Sequence, residues 1–187
     1  MIRKPEKERD SHSNHKSRQN METIDRIRAK IVEAVPLGKV LENEKKAGKK
    51  VVFTNGCFDI LHRGHIEYLS MASSLGDVFV IGLNSDVSVR KLKGENRPAV
   101  DEDSRGLTLA AFAFVDFVVL FDEKDPAGLM QLLNPDVWVK GGDYKNVEGL
   151  PEYKLMMEIG GEVIILPFVE GYSTTDIYNK ILGSAKS

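Results

Sequence analysis

Two histidines three residues apart follow the first apolar segment of the chain. His62 and His65 belong to the stretch NGCFDILHRGH at 55–65, directly after the apolar run VVF at 51–53. If Gly64 and His65 open a helix, both imidazoles lie at its N-terminus, together with free backbone N–H groups and the positive end of the helix dipole. Gly64 has no side chain, so a ligand can approach closely. The pattern predicts a site for an anion such as phosphate.

A histidine pair at this spacing also has two simpler interpretations. It can be a helix cap or surface feature, or it can belong to a metal site, since imidazole is a common metal ligand. No third potential ligand lies at a sequence spacing typical of a metal site, and the pair lacks the four-residue spacing of zinc proteases. Cys57 is the single cysteine, which excludes a metal cluster built from cysteines. The position of the pair after a strand favours phosphate, because open α/β sheets bind ligands there.

Three hydroxyl side chains mark a second helix start near the other end of the chain. The stretch GYSTTD at 171–176 follows the last apolar segment. Capping needs one hydroxyl, and Ser173 with Asp176 fits a variant of the capping box. Thr174 and Thr175 are then left over for phosphate contacts at the helix N-terminus.

A basic segment lies between these two motifs. Arg90, Lys91, Lys93 and Arg97 cluster around Gly94. A run of charges is usually a solvated face. This run follows the carboxyl end of a predicted strand, so we interpret it as a flexible cationic loop that closes over a polyphosphate.

Alternating apolar and amphipathic segments must position these motifs. The predicted strands cover 51–55, 77–84, 116–121, 136–143 and 162–167. The helices that follow them are predicted at 64–76, 101–114, 126–133, 150–159 and 173–182, with a short helix or turn at 85–94. This order predicts a Rossmann-like α/β fold with a doubly wound, parallel, five-stranded sheet. The glycine fingerprints of dinucleotide-binding and P-loop proteins are absent from the sequence.

The N-terminal segment differs from the rest of the chain. Residues 1–20 contain almost no apolar side chains and are typical of a mobile polar arm. Residues 21–48 contain two predicted helices, the first stopped by Pro36 and the second, at 38–47, ended by Gly48. We expect these helices to pack on the main domain.

Composition limits the classes of function. The 187 residues carry a net charge of −2 and are 42% hydrophobic, which indicates one globular domain without the basic excess of a nucleic-acid-binding protein. The longest apolar run, Leu109–Val115, is far shorter than the ~20 residues that cross a membrane. The lone cysteine fits a reducing, cytoplasmic location.

Two of these motifs resemble those of a known family. GCFDILHRGH at 56–65 is similar to the signature G-x-F-D-x-x-H-x-G-H of the cytidylyltransferase-like nucleotidyltransferases, and YSTTDI at 172–177 is similar to their C-terminal element. The resemblance covers about residues 38–182. It implies that residues 49–187 form a nucleotidyltransferase domain.

Further segments resemble the branch of this family that makes ADP-heptose, a lipopolysaccharide core precursor, from ATP and D-glycero-β-D-manno-heptose 1-phosphate. These segments are VRKLKGENRP at 89–98, VKGGDY at 139–144 and LPFVEGYSTT at 166–175. Cys57 and Phe168 stand where the related glycerol-3-phosphate cytidylyltransferases usually have Thr and Arg. The sequence contains no sugar kinase segment, which implies a stand-alone form.

The resemblance implies in-line attack of a sugar-phosphate oxygen on the α-phosphorus of ATP, with release of pyrophosphate. The implied catalytic residues are His62, His65 and Lys93. The implied nucleotide-binding residues are Gly56, Cys57, Phe58, Asp59, Gly64, Asn84, Asp86, Gly142, Asp143, Ser173, Thr174 and Thr175. The implied substrate-binding residues are Lys91, Arg97, Arg105 and Lys140. Asp59 is expected to orient a neighbouring histidine rather than to bind a metal.

The expected partners are ATP with Mg²⁺, a sugar phosphate and a second copy of the chain, with no metal held by a cluster of protein ligands. Two alternatives lie in the same superfamily, a glycerol-3-phosphate cytidylyltransferase and an FMN adenylyltransferase. A third is a nucleotide-binding regulatory module without turnover, which would not need so many cations aimed at one ligand. A nicotinamide oxidoreductase is disfavoured by the missing glycine fingerprint.

Overall fold

The computed structural model describes residues 23–142, 147–167, 169 and 171–184. The polar arm expected at 1–20 and Asp143, expected near the nucleotide, lie outside these ranges. Within them, no helix combines the length and apolar composition needed to cross a membrane.

Helices and strands alternate along the described chain. The strands are β1 (Val51–Gly56), β2 (Val78–Asn84), β3 (Phe117–Phe121), β4 (Val137–Gly141) and β5 (Glu162–Leu166). The helices are α1 (23–28), α2 (Ala34–Lys46), α3 (Arg63–Ser73), α4 (Asp86–Lys93), α5 (Glu102–Ala110), α6 (Ala127–Leu133), α7 (Pro151–Glu158) and α8 (Thr174–Ser184). A short 3-10 helix at Val147–Gly149 precedes α7.

The five strands form one parallel sheet in the order β3-β2-β1-β4-β5. The predicted doubly wound sheet is confirmed. The chain first winds outward from β1 to β2 and β3, then crosses to β4 on the other side of β1. The carboxyl ends of β1 and β4 therefore flank the point where the strand order reverses, which is where such sheets bind ligands.

Both faces of the sheet are covered by apolar side chains. On one face, Phe53 and Trp138 pack with residues of α2, α6 and α7, such as Leu41 and Met130. On the other face, Phe79 and Ile81 pack with residues of α3 and α5. Burial on both faces is why the strand sequences read as continuous apolar runs without alternation.

The predicted helix that runs to Pro36 is wrong. Residues 23–28 form α1, Ile31 then makes a parallel bridge to Val118 beside the sheet, and α2 begins at Ala34. Pro36 lies in the first turn of α2, where the missing N–H has no helical acceptor to lose. Gly48 follows the end of α2 with a φ of +85°, in agreement with its predicted role.

Other helix boundaries also differ from the prediction, such as the end of α3 at Ser73 rather than at 76. Helix α5 ends at Ala110 rather than at 114, and the Lys30 ammonium donates to the carbonyl oxygens of Phe112 (3.1 Å) and Val115 (2.7 Å) beyond its end. Those carbonyls are satisfied from another segment, so the helix need not continue. Helix α6 begins after Pro126 rather than at it.

The connection from α3 to β2 depends on a glycine, which gives a test of the packing. A Cβ at Gly76 would lie 2.6 Å from the carbonyl oxygen of Lys50 and 2.7 Å from Cγ2 of Val52. We expect Gly76→Ala to lower the free energy of unfolding by about 1–3 kcal/mol, because backbone must move. Urea denaturation measures the change. Gly128→Ala in α6 is the control, since a Cβ there has no atom within 4 Å. Equal stability of the two variants would contradict the described packing.

Candidate active site

A cleft of about 780 Å³ opens at the carboxyl ends of β1 and β4. It brings together most of the residues expected from the sequence to contact nucleotide or substrate. Those that line it are Gly56, Cys57, Phe58, Asp59, His62, Gly64, His65, Asn84, Lys93, Arg97, Lys140, Ser173, Thr174 and Thr175.

The two histidines lie at the start of α3. Helix α3 begins at Arg63, one residue earlier than predicted, which makes His62 its N-cap residue. The His62 side chain makes no capping hydrogen bond. The ring centroids of His62 and His65 are 3.9 Å apart, with an angle of 30° between the planes. The Nδ1 atoms of both rings are buried and have no hydrogen-bond partner among the described residues. Each ring thus holds one buried nitrogen that no described residue satisfies.

Burial keeps both imidazoles neutral. It lowers the pKa of His62 below the ordinary value of 6.5. For His65, burial first and the neighbouring charge of His62 second lower the pKa to about 4. Near pH 7 each ring therefore has one N–H donor and one acceptor nitrogen.

The start of α8 faces the same cleft. The Ser173 hydroxyl accepts a hydrogen bond from the backbone N–H of Asp176 at 3.0 Å, as its predicted capping role requires. The Thr174 hydroxyl donates to the carbonyl oxygen of Ile60 at 3.2 Å, so its proton is already used within the protein. Among the described residues the Thr175 side chain makes no hydrogen bond. Among the described hydroxyl groups at this helix start, those of Ser173 and Thr175 keep a proton for a ligand, beside the free backbone N–H groups of α8.

Direct contacts fix the distance between the two helix starts. The Arg63 guanidinium donates to the Tyr172 hydroxyl at 3.3 Å, and the Tyr172 ring stacks with the His62 ring at 6.4 Å between centroids. A Cβ at Gly64 would lie 3.1 Å from both the Cβ of Tyr172 and Nδ1 of His62. Gly64 is therefore needed for the approach of the α8 segment, a role that differs from the ligand access expected from the sequence.

Asp59 binds an arginine and a tyrosine rather than a histidine, which corrects its expected role. Its carboxylate accepts from Arg97 Nε (2.6 Å), the Tyr178 hydroxyl (2.9 Å) and the backbone N–H groups of Ala99 (2.7 Å) and Val100 (3.2 Å). Burial alone would raise the pKa of Asp59, but these hydrogen bonds outweigh it and lower the pKa. Asp59 thereby ties the loop after α4 and the body of α8 to the loop after β1.

Arg105 and Asp86 do not line the cleft, contrary to expectation. Arg105 is 1% exposed. Its guanidinium pairs with Asp86 at 2.7 Å and donates to the carbonyl oxygens of Asn84 and Val100, each at 2.9 Å. Arg105 also donates to the carbonyl oxygen of Cys57, so this buried guanidinium braces the loops after β1 and β2, and its charge is already paired with the half-buried Asp86.

Two other expected residues lie outside the lining. Lys91 is exposed on α4, one position away from the cleft-lining Leu92. Gly142 is buried, and its N–H donates to the carbonyl oxygen of Leu166 at 2.9 Å, whereas its neighbour Gly141 lines the cleft.

The loop after β1 forms the floor of the cleft. Phe58 has a φ of +44°, a left-handed conformation that residues other than glycine rarely adopt. Its ring lies over Gly56, where a Cβ would be 3.0 Å from the ring, and meets the His65 ring edge-on at 5.6 Å. Burial raises the pKa of the Cys57 thiol, which keeps this floor residue uncharged. Such an unusual backbone at a ligand cleft is typical of functional loops.

Several cleft residues were missed by the sequence reasoning. Asn55, Tyr68, Lys124, Glu152 and Tyr172 line the cleft. Asn55 and Lys124 follow the same rule as the expected residues, because each lies at or just after the carboxyl end of a strand. Glu152 has no such signal, since it lies in α7 after a long connection. Among the described residues, no group of three or more His, Cys, Asp or Glu side chains is placed to hold a metal ion.

The buried histidine pair makes a prediction about protonation. In an NMR titration of the free protein we expect His65 to gain its proton near pH 4 rather than near 6.5. The folded chain binds the His65 proton more weakly than the unfolded chain does. The free energy of unfolding therefore decreases as the pH falls from 6.5 towards 4. The control His62→Gln removes the second cause and should raise the midpoint slightly. A midpoint near 6.5 in the folded protein would contradict the described burial.

Comparisons with known proteins agree with this geometry. The family model described as cytidylyltransferase-like matches residues 53–180. The bifunctional protein HldE of Geobacter metallireducens is 53% identical over 154 residues, which are 82% of this chain and 31% of that protein. HldE of Helicobacter pylori is 49% identical over 147 residues, 79% of this chain and 31% of that protein. The chain therefore spans about a third of the length of these curated relatives.

Solved structures share the fold. The lipopolysaccharide core biosynthesis protein from Thermoplasma volcanium GSS1 matches with a TM-score of 0.55 and 32% identity, over 67% of this chain and 100% of that one. Pantoate-beta-alanine ligase from Francisella tularensis matches in fold alone, with a TM-score of 0.54 and 16% identity, over 84% of this chain and 79% of that one. The predicted family is confirmed, and the chain belongs to the cytidylyltransferase-like family.

Proposed function

We propose that this chain transfers an adenylyl group from ATP to a sugar 1-phosphate, D-glycero-β-D-manno-heptose 1-phosphate, and releases ADP-heptose and pyrophosphate. The observation that carries the proposal is that His65 on α3 and Ser173 before α8 line one cleft. The similarity to HldE proteins and to a lipopolysaccharide core biosynthesis protein supports the choice of heptose as acceptor.

The reaction would be a direct phosphoryl-centred substitution. An oxygen of the sugar phosphate attacks the α-phosphorus of ATP, the new O–P bond forms, and the bond from the α-phosphorus to the bridging oxygen breaks as pyrophosphate leaves. The attacking oxygen is already anionic, so the step needs no general base. The protein's contribution is alignment of the two phosphates and stabilisation of the charge that develops around the α-phosphorus.

The cleft offers donors and cations for that charge. We assign the N–H donors of His62 and His65 to the α-phosphate region, and Ser173, Thr175 and the free backbone N–H groups of α8 to the β- and γ-phosphates. Lys93 at the end of α4 is then the cation that closes over the phosphates. Thr174 takes a secondary role here, because its hydroxyl proton is given to Ile60.

The remaining cleft residues divide between nucleoside and acceptor. We assign Gly56, Cys57, Phe58 and Asn84 to the surface beneath the nucleotide, and Arg97 and Lys140 to charge complementarity with the substrates. Mg²⁺ would enter as a ligand of the triphosphate oxygens, which is how it usually binds nucleotides. Its chemistry there is to neutralise the phosphates and the leaving pyrophosphate.

Other features of the protein are proposed on the same basis. We place the nucleotidyltransferase domain at 49–187, with 21–48 as packing helices and 1–20 as a polar arm. The bridge of Ile31 to Val118 and the packing of Leu37 and Leu41 in the main core support the role of 21–48. We further propose a homodimer that works in the cytoplasm.

Pyrophosphate release tests the function directly. The purified protein is assayed with ATP or CTP against heptose 1-phosphates, glycerol 3-phosphate and FMN, all with Mg²⁺. We expect turnover with ATP and D-glycero-β-D-manno-heptose 1-phosphate, with formation of ADP-heptose. Turnover only with CTP and glycerol 3-phosphate, or tight ATP binding without turnover on any acceptor, would overturn the proposal.

Removal of one histidine tests the mechanism. We expect His65→Ala to lower kcat at least ~100-fold while the fold persists, because a donor to the developing charge is lost. Steady-state kinetics give kcat, and circular dichroism with thermal unfolding shows that the variant is folded. An unaltered kcat in the folded variant would remove His65 from the assigned role.

A further inference from the structure

One acidic residue that lines the cleft is buried and has no hydrogen bond to any of the described residues. Glu152 is 5% exposed and lines the cleft from α7. Within the described part of the chain, its carboxylate accepts no hydrogen bond and forms no close ion pair. A carboxylate removed from water is unfavourable unless donors satisfy it. A ligand in the cleft that donates hydrogen bonds to Glu152 would therefore gain binding free energy.

Other residues that line the cleft are held in place by hydrogen bonds and packing. The Trp138 indole N–H donates to Oδ1 of Asn55 at 3.2 Å, which turns the Asn55 amide so that its NH₂ group is the free end. The Tyr68 hydroxyl is 2.6 Å from the Thr54 hydroxyl, and its ring would lie 3.1 Å from a Cβ at Gly141. A cleft surface with such ordered polar groups suits a ligand with a fixed shape and a few polar groups of its own.

Charge divides the cleft into two sides. Lys93 and Lys124 lie in the connections that follow β2 and β3, whereas the nearby Arg97 is paired with Asp59. Glu152 lies in α7, which joins β4 to β5 on the other side of β1. A sugar phosphate brings a second anionic phosphate, which the lysine side attracts and the Glu152 side repels. The uncharged end of the nucleotide, its nucleoside, fits the Glu152 side.

Lys140 moderates the negative charge without removing it. It lines the cleft at the carboxyl end of β4, and burial lowers the pKa of its ammonium while the charge of Glu152 opposes that shift. Glu152 and Lys140 therefore interact through space. No residue in the described part of the chain donates a hydrogen bond to the Glu152 carboxylate, so we expect its oxygens to accept donors from a ligand.

We propose that Glu152 recognises the nucleoside of the bound triphosphate by accepting hydrogen bonds from its ribose hydroxyls or from the exocyclic amino group of its base. This inference rests on the nucleotide-binding half of the proposed function. A carboxylate at that position favours a base with an amino group, such as adenine, over a base with a carbonyl oxygen there, such as hypoxanthine, because the oxygen would meet the carboxylate without a proton between them.

Glu152→Gln tests the inference, with Glu158→Gln on the exposed end of the same helix as the matched control. Calorimetry gives ATP affinity without the acceptor, and steady-state kinetics give KM for each substrate. We expect Glu152→Gln to weaken ATP binding about 10-fold or more, as for loss of a charged hydrogen bond, while KM for the sugar phosphate changes less than about 2-fold. If Glu152→Gln does not fold, Glu152→Asp, which keeps the charge and shortens the reach, is expected to show the same pattern.

Analogues then identify the donor group. ITP, 2′-deoxy-ATP and 3′-deoxy-ATP each alter one candidate group, and the analogue that lacks the true donor should bind wild type weakly but show no further loss in Glu152→Gln. Unchanged ATP affinity in the folded variant, or a penalty confined to the sugar phosphate, would overturn the inference. Loss of ATP affinity in a protein that adenylylates no sugar phosphate would uphold Glu152 and overturn the proposed acceptor.

Discussion

The structure depends on two helix N-termini that are far apart in the sequence but face the same cleft. The starts of α3 and α8 carry free backbone N–H groups and the positive ends of two helix dipoles. Positive ends brought close together repel each other unless an anion lies between them. The contacts of Arg63 with Tyr172 and of Thr174 with Ile60 hold the two starts in place. The parallel sheet supplies the frame, because it delivers both connections to the same edge.

Burial determines the protonation state of the two histidines in the cleft. Two imidazoles that were charged at neutral pH would add to the repulsion between the helix starts, and burial prevents this by lowering the pKa of both rings. Asp59 in turn neutralises Arg97 in the free protein. Unpaired positive charge therefore lies on exposed lysines that line the cleft, such as Lys93 and Lys124.

The sequence was sufficient for features that depend on local pattern. Apolar runs located the strands, and the two helix-start motifs located the cleft, because strand ends and helix N-termini are both local signals. It was insufficient where partners come from distant segments. Arg105 was expected to bind substrate, but the fold buries it beside Asp86. Asp59 binds Arg97 and Tyr178, which come from two distant segments of the chain. Pro36 was misread because a proline in the first turn and a proline after a helix look alike in sequence.

The central claim is that one triphosphate lies between the starts of α3 and α8. Paramagnetic broadening of backbone amide NMR signals by Mn²⁺–ATP tests this directly, because the effect falls steeply with distance from the bound metal. We predict strong broadening of both His65 and Thr175, with much weaker broadening of Gly76, which precedes the amino end of β2 at the opposite edge of the sheet. Broadening of one helix start and not the other would contradict it.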